Sequence, residues 1–299
     1  MKHIPSISPF SIIQDRMLPD GGFAAYPKGE YRPDATAWAT LVFKAFGQDN
    51  SRIEAARTRL ANSQLSDGRI SLSASHPESV WPTAMAILAW HGWRSQQTSQ
   101  ARAIQFLLQI SGKHWPKKNN SVLGHDTSIP GWSWIENTHS WAEPTALGLI
   151  ALKVTGNAGH ERAHHAIQML LDRQLPKGGW NYGNTTVFGQ ELRPFPESTG
   201  MVLSALSGNV PLKEVINSLK YLVVQVTQIR TPIALGWALL GLGSWQLYPE
   251  QGNSWIMESL SKQDRYGRYD TSSLCLLLTA LMGSNGFINL FKDKSAEKI

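Results

Sequence analysis

The stretch THSWAEPTALGLIAL, residues 138–152, sets one carboxylate, Glu143, at the entrance of an unbroken apolar run. Related stretches recur along the chain. RPDATAWATLVF (32–43) places Asp34 two residues before Thr36, and FPESTGMVLSAL (195–206) places Glu197 two before Thr199. VWPTAMAILAW (80–90) keeps the Pro-Thr-Ala but has Trp81 where the acid would stand. Such recurrence marks a repeat architecture, in which each unit buries its apolar face against its neighbours.

Outward from these motifs, apolar helices rich in Ala and Gly are predicted over 34–46, 79–91, 141–155, 197–207, 231–242 and 271–282. Most begin after a proline or an acid and end near a glycine: Gly47, Gly92, Gly156, Gly208, Gly243 and Gly283. Being apolar almost all round, they belong in the interior. Small residues such as Ala37, Ala84, Ala86, Ala146, Gly148, Ala234 and Gly236 let them approach one another closely. Between them lie amphipathic segments at 51–64, 99–111, 160–174, 211–226 and 252–263, with a weaker one at 11–17. The alternation predicts an all-α chain, an α/α toroid of about six helical hairpins whose inner helices wall a central cavity. No run shows sustained period-two alternation, so no sheet is expected. The toroid takes in residues 1–299 as a single domain, with the charged end, 286–299, read as a flexible tail.

Bulk properties narrow the partners. The 299 residues carry a net charge of +6, twelve tryptophans and one cysteine, Cys275. Lys and Arg are scattered rather than striped, which argues against nucleic acid. One cysteine excludes an internal disulfide and fits a reducing, cytoplasmic setting. MKHIPSISPF lacks the apolar core of a signal peptide, and PIALGWALLGLG (232–243) is too short to span a bilayer. A soluble chain is expected, or one that rests on a membrane surface.

The turns carry a second signature. SQLSDGRI (63–70), RQLPKGGWNYG (173–183) and KQDRYGRYD (262–270) share a Gln, a few polar residues, then a glycine, with RMLPDGGFAAY (16–26) as a variant. These resemble the Gln–Trp repeat of the terpene cyclase and protein prenyltransferase superfamily, over nearly the whole chain. The resemblance implies an α/α toroid and an apolar, isoprenoid-type ligand in its cavity. In triterpene and class II diterpene cyclases an inner helix opens with Asp-x-Asp-Asp-Thr-Ala, whose middle aspartate protonates the substrate. RPDATAWA places Asp34 there, but Pro33 and Ala35 replace the flanking residues, so the paired aspartate is missing.

The candidate acids are therefore Asp34, Glu143 and Glu197, with His139 as a proton partner. Capping is the competing reading, since a carboxylate at a helix start accepts backbone N–H bonds and complements the dipole. Trp38, Trp81, Trp132, Trp134, Trp141 and Phe195 are the candidate aromatic wall, able to line a ligand or face a cation. Arg32 and Arg193 are candidates to hold a charged head group, or to pair with Asp34 and Glu197.

No cofactor or metal is expected. The prenyltransferase zinc set has no counterpart, because Asp270 and Cys275 are wrongly spaced and no histidine follows His165. HERAH (160–164) matches a zinc-peptidase pattern but opens an outer helix whose polar face meets solvent. Two further functions fit the same features. Toroidal polysaccharide lyases and glycoside hydrolases use carboxylates at the mouth, which Glu143 and Glu197 could supply. A non-catalytic toroid would instead present its surface to a partner protein.

Overall fold

The computed structural model of the chain describes residues 9–48, 51–117 and 122–292. Its helices in chain order are α1 (Pro9–Gln14), α2 (Pro33–Ala45), α3 (Ser51–Asn62), α4 (Pro82–Trp90), α5 (Gln97–Gln109), α6 (Ala142–Val154) and α7 (Glu161–Asp172). They continue with α8 (Pro196–Leu206), α9 (Leu212–Val226), α10 (Pro232–Gly243), α11 (Gly252–Ser261), the single turn α12 (Gln263–Tyr266) and α13 (Thr271–Met282). Helices α2, α4, α6, α8, α10 and α13 pack each against the next, and α13 returns to α2. The predicted inner ring is therefore closed. Helices α1, α3, α5, α7, α9 and α11 pack outside it. Among the described residues no helix is long and apolar enough to cross a membrane.

Punctuation follows the sequence. Proline occupies the first turn of α2, α4, α8 and α10. Gly47, Gly92, Gly156 and Gly208 end their helices at φ between +65° and +83°, a region that costs glycine no Cβ clash. Gly243 and Gly283 act differently. A Cβ on Gly243 would lie 2.3 Å from the Gly283 carbonyl oxygen, so this glycine lets two chain segments touch. The same holds between α8 and α10, where a Cβ on Gly200 would lie 2.2 Å from the Trp237 carbonyl oxygen.

The recurrent threonine joins four of the six inner helices, α2, α4, α6 and α8, to the turn before each. Thr36, Thr83, Thr145 and Thr199 accept from the backbone N–H of Phe23, Ile70, Trp132 and Trp180 at 2.9, 3.0, 2.9 and 2.9 Å. Each acceptor hydroxyl is buried, and so are the four donor residues. Indole nitrogens make a second set of ties: Trp132 Nε1 donates to the Leu107 carbonyl at 2.9 Å and Trp180 Nε1 to that of Leu170 at 2.6 Å. Thr145→Val keeps the shape but strands the Trp132 N–H. It is expected to cost about 1–3 kcal/mol, read from urea unfolding, with Thr145→Ser close to wild type. Equal losses in the two variants would remove the hydrogen-bond explanation.

Two expectations need correction. A two-stranded antiparallel pair does form, β1 (Thr186–Val187) with β2 (Gln190–Glu191). Its two-residue turn, Phe188-Gly189, has φ of +49° and +76°, as a tight hairpin needs. Such a short element has no periodicity to read. The flexible tail does not begin at residue 286 either. Residues Ile288–Phe291 form a 3₁₀ turn, and Phe287 is fully buried with its ring 5.8 Å from Trp38 and 5.5 Å from Trp237. Phe291 reaches His91 at the C-terminal end of α4, so this segment closes the far end of the ring. Residues 293–299 lie outside the described residues.

Candidate functional site

The N-terminal ends of the inner helices surround a cavity of about 510 Å³. Each helix contributes two lining side chains one turn apart, because residues i and i+4 share a helix face. The rim positions are Asp34, Trp81, Glu143, Glu197, Ile233 and Ser272. Four residues on, the deeper layer is Trp38, Met85, Leu147, Met201, Trp237 and Leu276. Polar and mixed at the rim, the cup is wholly apolar one turn down. Trp38 and Trp237 pack edge to face at 5.9 Å, and Phe287 supports both from beneath. Trp134, which meets Trp81 at 5.7 Å, and Tyr182, Asp270, Ser273 and Arg32 complete the wall.

The doorway acids do not cap their helices. The N-cap residues of α2, α6 and α8 are Arg32, Trp141 and Phe195, and none makes a side-chain capping bond. Asp34, Glu143 and Glu197 each sit at the second helical position and line the cavity. Asp34 is gripped by Arg32, Nε to Oδ1 at 2.8 Å and Nη2 to Oδ2 at 2.9 Å, and accepts from the Ser272 hydroxyl at 3.2 Å. Asp270 is the true cap, accepting from the Ser273 N–H at 3.0 Å and its hydroxyl at 2.6 Å.

Glu143 is the distinctive acid. It is 8% exposed, and its Oε1 accepts from the Ser198 hydroxyl at 2.7 Å. Burial pushes its pKa above the usual carboxyl range. The Ser198 bond works against that, and the nearby Glu197 charge adds to it. Glu197, half-buried, makes no hydrogen bond or ion pair with any described residue.

Of the remaining candidates, Trp38, Trp81, Trp134 and Arg32 lie in the cavity wall and the others do not. Trp132 is buried behind α6, its ring against Gly148 and under the Arg162 guanidinium. Phe195 packs on Tyr182 at 5.0 Å, and Arg193 is exposed and forms no ion pair with Glu197. His139 does not reach the cavity. Its Nε2 lies 3.3 Å from Nη1 of the buried Arg173, and its ring packs among Trp115, Trp141 and His125. Burial beside Arg173 lowers the His139 pKa and takes that of His125 to about 3. In HERAH, His160 Nδ1 caps α7 by accepting from the Arg162 N–H at 3.1 Å, while Glu161 and His164 are exposed. Among the described residues no three potential metal ligands gather.

Sequence reasoning missed Tyr182, Trp237, Asp270 and most of the deeper layer. The i+4 rule applied to each rim residue would have found that layer. Asp270 was weighed only as a zinc ligand, although it directly precedes the predicted helix 271–282.

No protein-family model and no curated protein matches the chain. Solved structures do. The chain resembles the GH76A alpha-1,6-mannanase from a Salegentibacter species at 12% identity and a TM-score of 0.61, over 95% of this chain and 97% of that one. It resembles a protein from Actinoplanes at 16% identity and 0.57, over 92% and 96%. It also resembles ent-copalyl diphosphate synthase from Streptomyces platensis at 14% identity and 0.52, over 87% of this chain and 51% of that one. The fold is thus an α/α toroid, shared with these structures. At these identities the likeness establishes the fold and leaves the chemistry to the site.

Proposed function

We propose that the protein binds an apolar, isoprenoid-type ligand in the central cavity and that Glu143 donates a proton to it. The observation carrying this reading is the layered wall. An unbroken apolar floor lies one helical turn below a rim that holds a buried carboxyl, Glu143, whose pKa burial raises. A hydrocarbon body fits the floor, which offers a sugar no side-chain oxygen and no donor besides the Trp38 and Trp237 indoles. Asp34 is a poor donor because Arg32 and Ser272 occupy its oxygens. In Glu143 one oxygen accepts from Ser198, which leaves the other to carry the proton.

An acid whose pKa has been raised is a weak one, so its proton goes to an oxygen of the ligand, such as an epoxide, more readily than to a plain double bond. The C–O bond then breaks and positive charge develops on carbon, facing the indole rings. Glu143→Gln is expected to retain ligand binding and lose turnover by about 10²–10⁴-fold. Native mass spectrometry, with solvent extraction of whatever the protein carries, would supply the ligand for that assay. Loss of binding together with turnover would contradict the assignment.

The acid also has a pH signature. Unfolded Glu143 ionises near the ordinary glutamate value of 4.5, whereas burial lets the folded carboxyl hold its proton to higher pH. Its contribution to stability is thus fully present below about 4.5 and is lost as pH rises through the folded pKa. Glu143→Gln should therefore gain stability over wild type progressively above that pH. A constant difference between the two proteins from pH 4 to 8 would count against it.

One observation favours a second reading. The mannanase-like fold spans almost all of both chains, and Glu143 and Glu197 would supply a glycosidase with acid and base. Release of reducing ends from a polysaccharide panel, abolished in Glu197→Gln, would move the assignment there.

A further inference from the structure

The charge of the cavity specifies more about its ligand, granted that the cavity is the binding site. Among its described lining residues, Asp34, Glu143, Glu197 and Asp270 are acidic and Arg32 is the one cation. Arg32 is already committed, bidentate, to Asp34. Arg16, which interacts electrostatically with Asp270, is not part of the lining. It gives its donors to the Ala25 and Tyr269 carbonyls and the Thr271 hydroxyl. Arg193, the other candidate for an anionic head group, is exposed outside the cavity.

What remains is negative charge without a counter-ion. Among the described residues Glu197 has no hydrogen-bond or ion-pair partner and Asp270 is hydrogen-bonded but not ion-paired, while the buried Glu143, whose surroundings favour its protonated form, has Oε2 unbonded. Around these groups stand four indoles, Trp38, Trp81, Trp134 and Trp237, and the Tyr182 ring. Aromatic faces attract a cation and are indifferent or unfavourable to an anion. A cleft lined by one sign of charge with apolar walls concentrates the field inside it.

We infer that the rim at Glu197 favours a ligand head that carries or develops positive charge, for which an alkylammonium is the stable probe, with the hydrocarbon body on the floor, and that the cavity excludes phosphate-headed ligands. Glu197 is the residue that sets this selectivity. It makes no hydrogen bond or ion pair with any described residue, so replacing it with glutamine removes the charge and leaves the fold.

The test uses three probes of equal chain length, octyltrimethylammonium, octanol and octyl phosphate, below their micelle-forming concentrations. Binding is followed by calorimetry and by tryptophan emission. Wild type is expected to bind the ammonium about tenfold more tightly than octanol, with octyl phosphate weakest. In Glu197→Gln the ammonium advantage should fall to near unity while octanol is unchanged, and thermal melts should show the variant folded. Octanol binding as well as the ammonium would overturn the charge selectivity and leave the cavity reading standing. Octyl phosphate binding best would overturn it in favour of an anionic head. Failure of all three to bind would remove the cavity reading itself.

Discussion

Replacing Phe287 with alanine is expected to lower the free energy of unfolding by about 3–5 kcal/mol and the melting temperature by about 10 °C. The ring is fully buried and meets three others, Trp38 at 5.8 Å, Trp237 at 5.5 Å and Phe291 at 5.3 Å. Truncation removes the transfer free energy of a phenyl group and leaves a hole that a closed ring of helices cannot collapse to fill. The effect reaches the site, since Trp38 and Trp237 rest on Phe287 from below and face the cavity from above. Binding of an apolar probe should therefore weaken along with stability. Phe287→Leu keeps most of the volume and should retain more than half of both. A melting temperature within about 2 °C of wild type would show instead that residues 287–291 are peripheral to the core.

That segment also shows where reading the sequence stops. SNGFINLF (284–291) has too few residues for a helical period, and the charges after it make the end of the chain look solvated. Only the open end of the helical ring makes Phe287 a core residue. The inner helices were legible because all-round apolar composition, prolines at the starts and glycines at the ends agree with one another. Their recurrent threonine was visible, but its hydroxyl bonds a residue 13 or 19 positions away. No local pattern encodes such a partner. The acids were found as a set, yet their caps were inferred and Asp270's was not. Capping depends on a shift of two residues between the N-cap and the second helical position, finer than sequence places a helix boundary. His139 was assigned to Glu143 by proximity in the chain. The segment at 139–141, bridged at His139 to Lys113, sends it to Arg173 instead, while Glu143 enters the helix that walls the cavity.

A second large loss is expected where the first and last repeats meet. Arg16 is almost wholly buried, and its Nη1 donates to the Ala25 carbonyl and the Thr271 hydroxyl, each at 3.2 Å. Its Nη2 donates to the Tyr269 carbonyl at 2.8 Å. Alongside, the Thr271 N–H donates to the Ala25 carbonyl at 2.9 Å and the Thr271 hydroxyl to that of Ala24 at 2.6 Å. An open solenoid could dispense with these contacts, since each repeat there touches only its neighbours. A closed ring cannot, because α13 must be held to α2 for the cavity to have a complete wall. Arg16→Met fills the space but removes the donors to the Ala25 and Tyr269 carbonyls and the Thr271 hydroxyl, and should cost about 3 kcal/mol. Half-buried Arg59, paired with the exposed Asp20 at 2.6 Å, supplies the control, and Arg59→Met should cost less than about 1 kcal/mol. Hydrogen exchange separates closure from general loosening. In Arg16→Met the Thr271 amide should exchange much faster, while the Trp180 amide, bonded to Thr199 across the ring, stays protected. Equal loosening at both amides would mean that Arg16 supports the core at large and that the ring closes without it.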